Sequence, residues 1–207
     1  MDWNRIDENI FYIDATRQPL SANVVVMEGK NNIWLYDVGT NLDIPEQLNQ
    51  YAAEHKKEIR VVLSHFHPDH TGNLSKIHSA QILQGKNTYR YTGTGEIVEQ
   101  DQYIEDGSLR LHIFPIPSSH AKGSLALEVN EMYCFLGDSI YATMKNQKTV
   151  YNAGILKEQI KVLEVVKAPY FANSHKTPFI QSKQAVLRML ESVYANRKGN
   201  EPYIEVE

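Results

Sequence analysis

Three histidines and an aspartate fall within six positions of the sequence, and they are the side chains best suited to chemistry. They are His65, His67, Asp69 and His70, in the segment formed by residues 64–73. Imidazole nitrogens and carboxylate oxygens are good ligands for a borderline divalent cation. Four such groups directly after a buried strand would be costly to crowd together without a cation to pair them. The segment therefore predicts a metal site.

The spacing of these ligands indicates two neighbouring cations. On an extended chain, His65, His67 and Asp69 would share one side. A loop at Pro68 and Asp69 would turn Asp69 and His70 towards a different point. The histidine pair would then serve one cation, and Asp69 with His70 would serve the other. The isolated histidines elsewhere in the chain are interpreted as ordinary surface or core residues: His55, His78 and His112.

The segment resembles the His-x-His-x-Asp-His signature of the metallo-β-lactamase superfamily, and other landmarks of that superfamily occur in the same order. Residues 35–39 resemble its Asp-x-Gly turn, and residues 118–124 resemble the segment that carries a third histidine. Residues 135–138 resemble a strand end with a metal-bridging aspartate, and residues 174–175 resemble the last histidine of the site. Any one short piece is weak evidence, whereas pieces in the right order along most of the chain are strong evidence.

The resemblance implies a site of seven ligands, carried over residue by residue. One cation would be held by His65, His67 and His120, and the other by Asp69, His70 and His175, with Asp138 between them. Asp37 is predicted to support the metal loops through hydrogen bonds rather than to bind metal. The cofactor is predicted to be two divalent ions, for which zinc suits the ligands best and iron and manganese stay open.

Two cations held by neutral imidazoles and two carboxylates keep a net positive charge at their centre. That charge lowers the pKa of a bound water, so hydroxide is available near neutral pH without a Ser or Cys nucleophile. Asp69 is predicted to orient or accept the proton in addition to binding metal. Tyr141 resembles a tyrosine that contacts substrate in the lactonases of the superfamily, where its hydroxyl would stabilise an oxyanion. Packing beside the metal loop is the other interpretation of Tyr141.

The leading hypothesis is a dinuclear hydrolase of the glyoxalase II-like or lactonase-like branch, acting on a small ester, thioester or lactone. The alternatives are a mononuclear iron oxidoreductase acting on sulfur compounds, a phosphodiesterase of the same fold, and a catalytically silent metal-binding module. Well-known lactam-hydrolysing members carry cysteine where this chain has Asp138. The diiron flavoproteins carry glutamate at the place of His67. The ligands therefore favour the small hydrolases.

The elements that must position these ligands alternate between strands and helices. Residues 23–37 predict a hairpin, residues 59–64 a buried strand, residues 156–166 a helix and residues 182–194 an amphipathic helix, with another helix starting near Asp43. Residues 84–107 predict loops over one face, and residues 198–207 a loosely held tail. This pattern predicts an α+β fold, and the resemblance implies one domain over residues 1–207. Its architecture would be a four-layer αβ/βα sandwich, two packed mixed β-sheets flanked by helices.

The composition narrows the possible partners. A net charge of −4 gives no broad basic field, so nucleic-acid binding is not expected. The polar, acidic N-terminus and the lack of a long apolar run predict a cytoplasmic protein without a membrane partner. A single cysteine rules out an intramolecular disulfide. The predicted partner is thus a small-molecule substrate, while the oligomeric state stays open.

Overall fold

Residues 3–206 are described by the structure, a computed structural model of the chain. The first half of the chain forms β1 (Asn4–Asp7), β2 (Ile10–Ile13), β3 (Thr16–Arg17), β4 (Leu20–Ser21), β5 (Val24–Glu28), β6 (Asn32–Tyr36), α1 (Ile44–His55), β7 (Glu58–Leu63), α2 (Pro68–Thr71), β8 (Ser79–Gln84), α3 (Lys86–Thr92) and β9 (Glu96–Ile97). The second half forms β10 (Gln102–Asp106), β11 (Leu109–Ile116), β12 (Ser124–Val129), β13 (Tyr133–Phe135), β14 (Thr143–Lys145), β15 (Lys148–Asn152), α4 (Ala153–Val165), β16 (Tyr170–Ala172), β17 (Ile180–Ser182), α5 (Lys183–Ala195) and β18 (Tyr203–Glu205).

Two mixed sheets pack face to face and are covered by helices on their outer faces. The first sheet has the order β1-β2-β5-β6-β7-β8-β9, and the second has the order β10-β11-β12-β13-β16-β17. Trp34 and Leu83 of the first sheet meet Leu111 and Phe135 of the second in the central core. Helix α1 covers the first sheet, and α4 and α5 cover the second. The predicted α+β four-layer sandwich is confirmed.

Parallel pairing brings the loops that carry the predicted ligands to one edge of the sandwich. Strands β6 and β7 run parallel in the first sheet, and β13 and β16 run parallel in the second. The carboxyl ends of parallel strands lie at the same edge of a sheet. The loops after these four strands contain Asp37, His65, Asp138 and His175. A bond from the backbone N–H of Leu125 to the carbonyl of Ser64 joins the two sheets at this edge.

The predicted hairpin, the buried strand and the helices are confirmed, whereas the predictions for residues 84–107 and for the tail up to residue 206 are wrong. Residues 84–107 are not mainly loop, because they form α3, β9 and β10. These elements are too short for a clear periodicity, and they are fixed by packing on the sheets. The tail is not loosely held as far as residue 206, because β18 pairs with β15 and buries Ile204. No helix within residues 3–206 is both long enough and apolar enough to cross a bilayer.

A buried carboxylate joins the two sheets at the edge opposite to the predicted ligands. Asp106 accepts hydrogen bonds from the backbone N–H groups of Asn31 and Asn32, from the Asn32 amide and from the Trp34 indole, at 2.8–3.1 Å. These bonds outweigh the effect of burial and lower the pKa of the Asp106 carboxyl. The ionised form is therefore the one that the fold stabilises.

Replacing Asp106 with alanine is expected to lower the free energy of unfolding by about 3 kcal/mol, because it leaves buried donors without a charged acceptor. Since the pKa is lower in the folded protein, the contribution is complete above the unfolded value of about 3.9 and is lost as pH falls through the folded value. Urea titrations at pH 7 and at progressively lower pH measure both effects. The exposed neighbour Glu105 supplies the control variant Glu105→Ala, and equal losses in the two variants would contradict the assignment.

Candidate metal centre

The short helix α2 carries the second pair of ligands in the histidine segment, and the first pair comes just before it. His65 and His67 follow the end of β7 in extended conformation, and Pro68 then opens α2, which carries Asp69 and His70. The fixed φ of proline suits the first position of a helix. The predicted turn at Pro68 and Asp69 is therefore helical, and it sends Asp69 and His70 towards a second point.

The first group of ligand atoms comes from His65, His67 and His120, which lie within 4.8 Å of one another. The Nδ1 atom of His67 is 2.9 Å from Nε2 of His65 and 3.0 Å from Nε2 of His120. A neutral ring nitrogen offers one lone pair, so it cannot accept a hydrogen bond from both rings. Burial lowers the pKa of His65 and His67, and repulsion from neighbouring histidines lowers it further. Three imidazoles that converge in this way fit a cation.

The second group comprises Asp69, His70, Asp138 and His175. Nε2 of His175 lies 2.9 Å from Oδ2 of Asp69, and Nε2 of His70 lies 3.5 Å from the same oxygen. Among the described residues, Nε2 of His70 and Oδ1 of Asp138 are buried without a hydrogen-bond partner. Orphaned polar atoms that deep in a protein require an explanation. A cation between them supplies one, so this group also fits a metal.

Asp138 lies between the two groups. Its Oδ2 atom is 3.5 Å from Nε2 of His120 in the first group. The same oxygen is 3.4 Å from Nε2 of His70 and 3.9 Å from Nε2 of His175 in the second. The structure therefore brings all seven predicted ligands together, and one carboxylate faces both groups.

Asp37 orients two of the histidines from beneath the site. Its carboxylate is fully buried and accepts hydrogen bonds from the Ser64 backbone N–H at 2.8 Å and the Ser64 hydroxyl at 2.7 Å. It also accepts one from Nδ1 of His70 at 2.7 Å, and the Ser64 oxygen accepts one from Nδ1 of His65 at 2.9 Å. Both rings then carry hydrogen on Nδ1 and direct Nε2 to the site. Sequence reasoning missed the role of Ser64, although it adjoins the first ligand.

His70 differs from His65 and His67 in that its pKa is raised rather than lowered. Burial alone would lower the pKa of this imidazole, but the carboxylates of Asp37 and Asp138 outweigh burial and raise the pKa to about 10. The proton therefore stabilises the carboxylates in the metal-free protein, and a cation at Nε2 would take its place. The same preference for positive charge that holds the proton also favours metal binding.

The loop that carries His175 is held by two distant residues. The backbone N–H of His175 donates to Oδ1 of Asn23 at 3.0 Å, and the hydroxyl of Tyr141 donates to the carbonyl of Ser174 at 2.6 Å. His175 has a φ of 62°, a left-handed conformation that costs a residue with a side chain about 1–3 kcal/mol. These bonds help to keep the strained loop in place. No sequence pattern links Asn23 to His175, so the contact was not predictable.

Gly137 is expected to be irreplaceable because it has a φ of 54° and a Cβ there would meet the Ser64 side chain at 2.6 Å. Gly137→Ala should therefore displace Ser64 and with it His65. Gly199→Ala is the matched control, since its φ is 52° but a Cβ would meet nothing within 4 Å. Isothermal titration with zinc is expected to show weaker binding, about 10–100-fold, only for Gly137→Ala. Similar affinities for the two variants would contradict the steric argument.

Tyr141→Phe separates the two interpretations of this residue. Burial and the Asp138 carboxylate raise the pKa of Tyr141, so its hydroxyl stays protonated and donates a hydrogen bond to the Ser174 carbonyl. We expect the variant to loosen the His175 loop and weaken binding of one cation, measured by competition with a chelator. The predicted contact with substrate stays a prediction. A fall in kcat of about 100-fold or more with unchanged metal affinity would support that role instead.

Three other histidines lie outside the two ligand groups, and one aromatic pair lies beside the first group. His55, His78 and His112 belong to neither ligand group. Phe66 lies beside His67, with 4.8 Å between the ring centroids, and stacks on Tyr91 at 4.4 Å and 9°. Tyr91 is 71% exposed. This pair forms an apolar wall next to the first group.

The comparisons with known proteins agree with this geometry. The model of the metallo-beta-lactamase superfamily matches residues 17–85, which include His65, His67, Asp69 and His70. A B3 metallo-beta-lactamase with an active-site glutamic acid superposes with a TM-score of 0.71 at 11% identity, covering 95% of this chain and 90% of that one. A metallo-beta-lactamase superfamily protein from Sulfolobus tokodaii gives 0.60 at 17%, covering 94% and 90%.

A mutant flavo di-iron protein from Thermotoga maritima gives a TM-score of 0.69 at 14% identity, covering 96% of this chain and 63% of that one. The chain thus spans less than two thirds of that protein. No curated protein matches the sequence. At these identities the structural likeness is one of fold. The predicted resemblance to the metallo-β-lactamase superfamily is confirmed by the family model and by the fold.

Proposed function

We propose that this chain, which has the metallo-β-lactamase fold and matches that superfamily's model over residues 17–85, is a dinuclear metal-dependent hydrolase. Its substrate would be a small ester, thioester or lactone. The preferred ions would be two zinc ions, with iron and manganese as the other candidates. The proposal assigns Asp69 the catalytic role that the sequence predicts, and the Tyr141→Phe variant decides whether Tyr141 contacts substrate or supports the His175 loop.

One observation carries the proposal: both ligand groups are complete, and Asp138 faces both of them. A site for one ion would need only one of the groups. The orphaned Nε2 of His70 and Oδ1 of Asp138 both belong to the second group. The evidence for a second cation therefore comes from burial as well as from residue type.

The bound cations would supply Lewis acidity and would lower the pKa of a water in the site. The residues of the chain hold that chemistry in place. Asp37 and Ser64 keep the Nε2 atoms of two histidines aimed at the ions. Asn23 holds the His175 loop through the backbone N–H of His175. The stacked rings of Phe66 and Tyr91 offer an apolar surface for the part of the substrate that does not react.

The mononuclear iron oxidoreductase is the main alternative, and the number of ions per chain separates the two. An oxidoreductase with one iron has no use for the second group, in which four side chains converge. The likeness to the flavo di-iron protein extends to the fold and does not favour that activity here. One iron per chain together with oxygen consumption would contradict the hydrolase.

The test is a hydrolase screen of protein stripped of metal and reloaded separately with zinc, manganese or iron(II). The panel contains an aryl ester, an acyl thioester, a homoserine lactone and bis(p-nitrophenyl) phosphate. His65→Ala removes a ligand, and His78→Ala removes a histidine that lies outside both groups. We expect turnover of an ester, thioester or lactone that His65→Ala loses and His78→Ala keeps. Turnover of the phosphate alone would favour the phosphodiesterase alternative.

A further inference from the structure

A cavity lies away from the metal centre, on the outer face of the second sheet. Its volume is about 660 Å³, within the range of pockets that bind small molecules. The floor consists of outward-facing side chains of β10, β11 and β12, and the C-terminal turn of α4 forms a wall. None of the seven predicted metal ligands lines it. The proposed hydrolase activity therefore leaves this cavity without a role.

An aromatic platform forms the floor of the cavity. The rings of Tyr103 and His112 stack in parallel, 4.3 Å apart at 7°, and Phe114 lies 4.7 Å beyond His112. His112 is clamped, because Nε2 contacts Asp101 at 2.9 Å and Nδ1 contacts the buried Glu128 at 3.2 Å. A platform held in this way needs little reorganisation to receive a ligand.

The platform is accessible from solvent, and an apolar side chain lies at its edge. Tyr103 is 74% exposed even though its ring is stacked, so one ring face remains open. Val165, at the end of α4, lines the same cavity and is 79% exposed. The cavity thus offers a ligand an aromatic face and an exposed aliphatic side chain.

The charged side chains that line the cavity favour a positively charged ligand. Four carboxylates and two basic side chains line it: Asp101, Glu105, Glu128, Glu131, Arg110 and Lys167. Lys167 is paired with Glu131 at 2.7 Å. The lining therefore stays negative even when His112 is protonated. Aromatic faces combined with negative charge attract organic cations.

We propose that this cavity is a binding site for a planar aromatic cation, which stacks on Tyr103 and contacts Val165. The site is separate from the metal centre and does not depend on the proposed hydrolase activity.

Fluorescence titration with proflavine, a planar aromatic cation, tests the site. We expect saturable binding that Tyr103→Ala and Val165→Lys each weaken about tenfold or more, the first by removing the platform and the second by adding bulk and like charge. Both positions are exposed, so folding is expected to survive, and circular dichroism checks it. Tyr91→Ala is the matched control, because Tyr91 is also a stacked and exposed tyrosine, but at the metal centre.

Four outcomes would overturn the proposal. The first is the absence of saturable proflavine binding, and the second is binding that Tyr91→Ala weakens while Tyr103→Ala does not. The third is equal binding of 8-anilinonaphthalene-1-sulfonate, an aromatic anion, which would refute the assigned charge. Sedimentation velocity tests whether a second copy of the chain, rather than a small molecule, occupies the cavity. A wild-type dimer that Val165→Lys dissociates would show that a second copy of the chain covers the cavity instead.

Discussion

Asp138→Ala is expected to abolish turnover while the fold survives almost unchanged. The aspartate faces both ligand groups, with Oδ2 3.5 Å from the His120 nitrogen and 3.4 Å from the His70 nitrogen. Its loss should cost more activity than the roughly 10–100-fold typical of residues that only orient a metal ligand. Steady-state kinetics on the best substrate of the screen, at saturating metal, measures the effect.

The second half of this prediction concerns the stability of the Asp138→Ala variant. Oδ1 of Asp138 has no hydrogen-bond partner among residues 3–206, so truncation breaks no bond at that atom. Its Oδ2 lies 3.4 Å from the charged His70 ring, which keeps Asp37 as its other carboxylate partner. We therefore expect the free energy of unfolding of the metal-free protein to fall by only about 1–3 kcal/mol. The exposed Asp43 provides the control variant Asp43→Ala. Intact turnover in Asp138→Ala, or a loss of activity explained by unfolding, would contradict the bridging role.

Asp37→Asn is expected to weaken the binding of both cations, although Asp37 is not one of the seven ligands. The carboxylate accepts hydrogen bonds from the Ser64 hydroxyl and from Nδ1 of His70. An amide nitrogen in place of Oδ2 would meet these donors with a donor of its own. The rings of His65 and His70 would then lose the hydrogen bonds that fix their orientation. We expect the affinity for each cation to fall about 10–100-fold.

Ser64→Ala is the matched variant for this second prediction. It removes the hydroxyl that connects His65 to Asp37, but it leaves the direct contact between Asp37 and His70 in place. We therefore expect it to weaken one cation site, whereas Asp37→Asn weakens two. Stepwise competition with a chelator resolves the two affinities. Wild-type affinities in Asp37→Asn would show that the tautomers of the two histidines do not depend on this carboxylate.

The sequence was most informative where several ligands are neighbours along the chain. The crowding of His65, His67, Asp69 and His70 predicts metal ligands, because it has no cheap explanation without a cation. His120, Asp138 and His175 carry no such local signal. They were predicted through the resemblance to a superfamily, and the parallel strands bring them to the same edge of the sandwich.

The parts that could not be predicted depend on contacts between distant residues. Helix α3 and strand β18 are short, and their stability comes from packing rather than from periodicity. The support of His175 by Asn23 joins residues separated by 152 positions. The hydrogen bond from Tyr141 to the Ser174 carbonyl depends on the same folded arrangement. Contacts of this kind follow from topology, which a single sequence expresses only indirectly.

The most direct test of the central claim is anomalous diffraction from crystals of the zinc-loaded protein, recorded at the zinc edge. We expect two peaks per chain, about 3.5–4 Å apart as in other two-metal sites. One peak should lie among His65, His67 and His120 and the other among Asp69, His70 and His175, with Asp138 between them. A single peak at full occupancy, or two peaks that do not share Asp138, would contradict the dinuclear site.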